Sequence, residues 1–180
     1  MTLAGLRQRS RGQSAVELAL TLPVLLLVVL GIVDLGRVFI AANALTHGTR
    51  EAVRYATVNI SVSGSPPNTT LAAIRQQVIN EGARAGTTVT NSQVSIDYFT
   101  VNTTECSTAP ATPCAIGTAD AGATSYTAAS SCPRADCSSP LVGDLVQVKV
   151  AVPWSATTST INRVMPSGFA INATSAGTIE

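Results

Sequence analysis

Apolar residues follow three different rhythms along this chain. From Leu18 to Val33 sixteen consecutive residues, LALTLPVLLLVVLGIV, carry no charge. That is slightly short of the ~20 residues needed to span a bilayer, but Ala15, Val16, Leu35, Gly36, Val38, Phe39 and Ile40 extend it. Farther on the apolar positions thin to a stripe. Val38, Ala41, Leu45, Gly48, Ala52 and Tyr55 recur at three- and four-residue steps, while Asn43, His47, Arg50, Glu51 and Arg54 fall largely opposite. This is the pattern of an amphipathic helix. One helix over 15–57 is therefore predicted, roughly 64 Å long at 1.5 Å per residue. It is apolar all round in its first half and on one face in its second, and Pro23 is the point where it can kink.

After the turn SGSPPN (63–68), TTLAAIRQQVINEGARAG (69–86) predicts a second helix. Leu71, Ile74, Val78 and Ala85 face inward, Thr69 is the cap, and Gly82 or Gly86 the stop. The third rhythm is strict alternation. NSQVSIDYFTV (91–101) alternates Val94, Ile96 and Tyr98 with polar residues, and DLVQVKVAVPW (144–154) puts Val146, Val148, Val150 and Val152 on one face. Pro153 cannot donate to a ladder, so an edge or a strand end is expected there. FAINATSAGTI (169–179) is a third strand. The 42 residues 102–143 between the first two strands read as one long loop. The predicted fold is α+β: a long N-terminal transmembrane and amphipathic helix, a second helix, a small antiparallel sheet and a long cysteine-containing loop.

Composition narrows the function. Charged residues are 12% of the chain and aromatics 4%, against roughly 25% charged in ordinary soluble domains. The formal net charge is +1, and Arg7, Arg9 and Arg11 precede the apolar run, leaving −2 for the remainder. No basic stripe follows a phosphate backbone, which argues against nucleic acid as a partner. Arginines before the run and few just after it place the N-terminus in the cytoplasm and the C-terminus outside. Asp34 and Arg37, three apart on the helix, are placed to pair near the interface.

Four cysteines, Cys106, Cys114, Cys132 and Cys137, lie beyond the run. Their C-x7-C-x17-C-x4-C spacing is unlike the tight pairs of a zinc site, so no metal is expected. Outside the cytoplasm they are disulfide candidates. Three pairings are open, and the adjacent one, Cys106 with Cys114 and Cys132 with Cys137, closes two short loops. In a reducing compartment they are free thiols.

The first forty residues admit three treatments. A cleaved signal peptide has a basic start, an apolar core and a small-residue site such as Ala42-Asn43-Ala44, but here Asp34 and Arg37 intervene between core and site. A plain anchor fits in length and leaves Glu17 unexplained, since an acidic group at the edge of a membrane span has a partner, a role or a route to the interface.

The third treatment rests on particular residues: Gly12, then Gln13-Ser14-Ala15-Val16, then Glu17, then the apolar run. This resembles a class III type IV prepilin signal, a short basic leader ending in Gly with Glu at the fifth mature position. The wider stretch 11–56 is similar to the TadE-like pseudopilin family. It shows Gly12, Glu17, Pro23, Asp34-Leu35-Gly36-Arg37, Ala44-Leu45-Thr46 and Arg50-Glu51-Ala52-Val53-Arg54-Tyr55-Ala56. The resemblance covers about a quarter of the chain. VQVKVAVPW also resembles the family's tail, more weakly. Leu18 stands where the much shorter Flp major pilins carry an aromatic residue.

The resemblance implies a leader (1–12), a transmembrane helix (13–40), an amphipathic extension (41–57) and an extracytoplasmic domain (58–180). It implies cleavage between Gly12 and Gln13 by a membrane prepilin peptidase. The new Gln13 amine and Glu17 then share one helix face, and Glu17 of an incoming subunit pairs with the amine of its neighbour to set axial register. The implied partners are that peptidase, an inner-membrane assembly platform, a second pseudopilin, the major Flp pilin and membrane lipid. The implied role is assembly of tight-adherence pili.

No catalysis is expected. The only histidine, His47, lies on a polar helix face near Glu51, and the sole lysine, Lys149, lies in a strand. No phosphate loop, nucleophile set or paired-carboxylate motif stands out, and no cofactor is implied. The N-x-S/T matches at Asn59, Asn68, Asn102 and Asn172 are what a Thr-rich chain produces by chance. The alternatives are an uncleaved single-pass protein with an outer binding domain and a secreted binding module.

Overall fold

The computed structural model describes residues 9–60, 68–101, 113–123, 125–133, 137, 140–155, 163 and 169–180. The fold is α+β. Helix α1 spans Arg9–Ile60 and α2 spans Asn68–Arg84; a short 3₁₀ turn, Asn91–Gln93, leads into β1 (Val94–Thr100). There follow β2 (Cys114–Ala119), β3 (Thr127–Ala128), β4 (Leu145–Trp154) and β5 (Phe169–Thr178). Two compact units divide the chain, Met1–Arg37 with Ser155–Gly168 and Val38–Trp154 with Phe169–Glu180.

In the first unit α1 carries the apolar run. Leu20 is 72% exposed and Leu30, the least exposed large side chain of the run, 44%. The helix is long and apolar enough to cross a membrane, and no residue of its most apolar window is buried. α1 begins at Arg9, six residues earlier than the pattern predicts. Nothing before Ala15 stops it, since Gly12 in a helix costs only about 1 kcal/mol relative to Ala.

In the second unit α1 and α2 share one apolar core with the sheet. Ala41, Leu45, Ala52, Val53 and Ala56 of α1 and Leu71, Ile74 and Val78 of α2 are buried with Val94, Ile96 and Tyr98 of β1 and the alternate valines of β4. The predicted stripe on α1 is therefore the core face, with Val38 and Tyr55 partly buried at its margins. Asn43, His47, Arg50, Glu51 and Arg54 are exposed. The helices approach closely at Gly48, where an added Cβ would stand 3.2 Å from Val78 Cα.

α2 ends in a Schellman motif. The Thr87 N–H donates to the Gly82 carbonyl at 2.9 Å and the Gly86 N–H to Ala83 at 3.0 Å, with Gly86 in the left-handed region at φ 70°. Gly82 is thus inside the helix and Gly86 is the stop. α2 begins at Asn68, one residue before the expected Thr69 cap.

The sheet is antiparallel in the order β3-β2-β1-β4-β5. Two of its strands lie in the stretch expected to be loop. β2 carries Ala and Gly rather than a β-branched alternation, and its register slips: Tyr98 faces Gly117 but Phe99 faces Ala115, so Ile116 is an extra, bulged residue. Ile116 and Gly117 are buried side by side, which erases the period-two signal. β3 is two residues long, too short to leave a pattern. At Pro153 the expectation holds. The pairing of β1 with β4 reaches only Val150, so beyond it β4 has β5 alone as a sheet neighbour among the described residues.

Candidate functional site

Two sets of residues carry the candidate chemistry. The first lies on the early turns of α1. Gly12, Gln13 and Glu17 are all helical and exposed, and an added Cβ on Gly12 meets nothing within 4 Å. Gln13 and Glu17 are one turn apart, so they lie on one face. The Glu17 main-chain carbonyl accepts the Thr21 hydroxyl at 3.0 Å. The Glu17 carboxylate makes no ion pair or hydrogen bond among the described residues. Pro23 lies within α1, so the Ala19 carbonyl lacks its helical donor. Asp34 is buried and Arg37 exposed, and each has polar interactions.

The second set belongs to the sheet unit and centres on Arg75, whose importance the apolar pattern concealed. Arg75 is 3% exposed on the inner face of α2. Its Nε donates to the Val94 carbonyl at 3.2 Å. Nη2 donates to the carbonyls of Ala119 at 3.1 Å and Asp120 at 2.9 Å, and Nη1 to that of Ala123. One guanidinium thus ties α2 to the start of β1 and to the turn after β2. No carboxylate pairs with it among the described residues, and burial lowers its pKa, with Tyr98 acting the other way. The signal that could have found it is positional: 71, 74, 75 and 78 is the i, i+3, i+4, i+7 set of a core-facing helix.

Tyr98 is fully buried beside this cluster. Its ring meets Tyr126 edge-on with centroids 5.4 Å apart. The Tyr126 hydroxyl donates to the Ile116 carbonyl at 2.8 Å, whereas the Tyr98 hydroxyl has no hydrogen-bond partner among the described residues. Burial first, and Tyr126 second, raise the Tyr98 pKa above the usual phenol value, against the pull of Arg75.

On the sheet's outer face Lys149 Nζ stands 2.7 Å from Asp97 Oδ2, and the Thr118 hydroxyl donates to Asp97 Oδ1 at 2.7 Å. An open groove of about 370 Å³ lies beside this pair, lined by Gln93, Ser95, Asn172 and Thr174 among others. Cys132 and Cys137 are joined in a disulfide, and Cys114 is disulfide-bonded as well. Cys106 lies outside the described residues. Among those residues no three His, Cys, Asp or Glu side chains gather as a metal site would require.

Residues 12–54 match the family model described as TadE-like protein. No curated protein and no solved structure matches the chain.

Proposed function

We propose that the protein is a minor pilin or pseudopilin of the tight-adherence pilus, not an enzyme but the substrate of one. A prepilin peptidase cuts it between Gly12 and Gln13, and it takes part in assembly of Flp pili for surface adhesion. One observation carries this reading: the family match opens on Gly12 and runs through Arg54, spanning the proposed cut, Glu17, the apolar run and nearly all of the core-facing stripe.

The chemistry fits the residues. Gly12 and Gln13 lie in the first turns of α1, and a protease cleft takes extended backbone, so those turns must open. A glycine at the cut eases opening because it has no Cβ and weakens the helix. The cut frees an α-amine one turn from Glu17, whose carboxylate has no partner among the described residues. In apolar surroundings a lone carboxylate is costly, and pairing it with a neighbouring subunit's amine relieves that cost while fixing the axial step. The N-terminus is cytoplasmic, the sheet unit extracytoplasmic, and the platform, the major Flp pilin and a second pseudopilin are the partners in assembly.

The Glu17→Ala variant tests the register role. Cells carrying it should still produce the processed chain but yield sharply fewer pili in sheared surface fractions. Unchanged piliation would sink the role of Glu17.

A further inference from the structure

β5 closes one side of the sheet, and its register shows which of its main-chain groups are left over. The Ile179 N–H donates to the Asp144 carbonyl at 2.8 Å and the Gly143 N–H to the Ile179 carbonyl at 2.9 Å, so Ile179 turns its main chain toward the β4 side. Along an antiparallel pair this direction alternates. Gly177, Ser175, Ala173 and Ile171, opposite Val146, Val148, Val150 and Val152, face β4 in the same way. Pro153, which has no N–H to give, stands opposite Ala170, a pair that exchanges no hydrogen bond in this alternation. Ala170, Asn172, Thr174, Ala176 and Thr178 therefore turn N–H and C=O away from the sheet. Their side chains are exposed, and among the described residues β5 pairs with β4 alone.

Proteins normally blunt such an edge with a charge, a proline or a short strand. The opposite edge follows that rule, since β3 is two residues long. β5 does not: its ten residues, FAINATSAGT, hold neither charge nor proline. A cation stands beside it. The Thr49 and Ser175 hydroxyls are 2.9 Å apart, and an added Cβ on Gly177 would meet Val53 and Thr57. Thr46, Arg50, Val53 and Thr57, at steps of four, three and four, form one row of α1, so Arg50 belongs to the side of the helix that borders β5, about level with Ser175. Arg50 is exposed and makes no ion pair or hydrogen bond among the described residues. Two copies joined β5 to β5 about Thr174 would bring one Arg50 toward another, a like-charge meeting that opposes the join.

We propose that the free edge of β5 takes up an extended segment of a different pilus subunit as a sixth strand, and that Arg50 pairs with a carboxylate of that segment. The outward N–H and C=O groups supply the affinity, as in other strand additions, and Arg50 selects an acidic strand over a second copy of this chain. The identity of the partner as a pilus subunit rests on the proposed function.

The test places the photo-crosslinking residue p-benzoylphenylalanine at Thr174 of the full chain in its own host, and at Ser95 of β1 as the control. Illumination should join position 174, and not position 95, to a different pilin-like chain, within a few residues of an Asp or Glu by peptide mapping. Arg50→Glu, at an exposed position, should leave the amount of chain unchanged and cut that product roughly fivefold. A product joining two copies of this chain overturns the proposal. So does a link confined within one chain, a partner that is not pilin-like, or no product at position 174. An undiminished product with Arg50→Glu overturns the carboxylate pairing. The N-terminus read from the same membranes keeps the two readings apart: a start at Gln13 without a product removes the added strand alone, and a start at Met1 removes the prepilin reading whatever the crosslink shows.

Discussion

Gly48 of α1 lies against Val78 of α2 so closely that a Cβ on Gly48 would stand 3.2 Å from Val78 Cα and 3.1 Å from Glu81 Cβ. The approach lets two helices share one narrow core built from small and medium side chains. A bulky residue here must push α2 off the sheet. Gly48→Leu should destabilise the sheet unit by about 1–3 kcal/mol, the usual cost of overpacking. Thermal unfolding followed by circular dichroism checks it, and an unchanged midpoint would refute the close approach.

Arg75 holds four main-chain carbonyls from inside the core. Arg75→Leu keeps the apolar volume but strands these acceptors, of which those of Val94 and Ala119 are buried, and a buried group left unsatisfied costs about 1–3 kcal/mol. Exposure of some carbonyls to water as the 120–123 turn loosens reduces the sum, so a loss of about 3 kcal/mol is expected. Arg75→Lys should recover only part of it, because an ammonium lacks the planar fork. Hydrogen exchange should rise first in the turn after β2.

Tyr98 predicts a pH dependence. Its folded-state pKa is raised, chiefly by burial, so the folded chain keeps the phenol proton where the unfolded chain has lost it. The stability this provides is complete below the unfolded value of about 10 and falls as pH rises above it, by up to about 1.4 kcal/mol per pH unit. Tyr98→Phe should flatten that fall in denaturant titrations at alkaline pH. At neutral pH the same variant should cost little or stabilise slightly, since the lost hydroxyl has no partner among the described residues.

The Cys132–Cys137 bridge closes a short loop at the edge of the core, where Cys137 is buried. Replacing both with serine should lower stability by about 2 kcal/mol on the loop-entropy scale. Equilibrium unfolding of the double variant against the parent, without reductant, measures it.

Much of this fold was legible because its periods are clean. The stripe on α1, the inward face of α2 and the valine alternation of β4 each follow from side-chain spacing alone, whereas the choice of Gly86 over Gly82 as the stop of α2 needed the structure. β2 and β3 were not legible: a bulge at Ile116 places two buried residues in succession, and a two-residue strand has no period. Arg75 was hidden for a different reason. Charge is read as exposure, and only the tertiary arrangement of four carbonyls shows why this cation is inside. The residues around Gly12 and Glu17 were found through their resemblance to a family rather than by any periodic signal, and the family match covers the same stretch.

The helical setting of Gly12 adds one more expectation. Gly12→Ala should stabilise the first turns of α1 by about 1 kcal/mol and slow their opening. A larger uncut fraction in membranes, seen by immunoblot after a brief pulse of expression, is the expected outcome; equal processing would mean that opening of these turns does not limit the cut.

The most direct test of the account is the N-terminal sequence and intact mass of the protein purified from the membranes of its own host. A chain that begins at Gln13 is the predicted result. A chain that begins at Met1 would contradict prepilin processing and leave a plain anchor, and one that begins near Asn43 or Leu45 would instead mean a secreted domain.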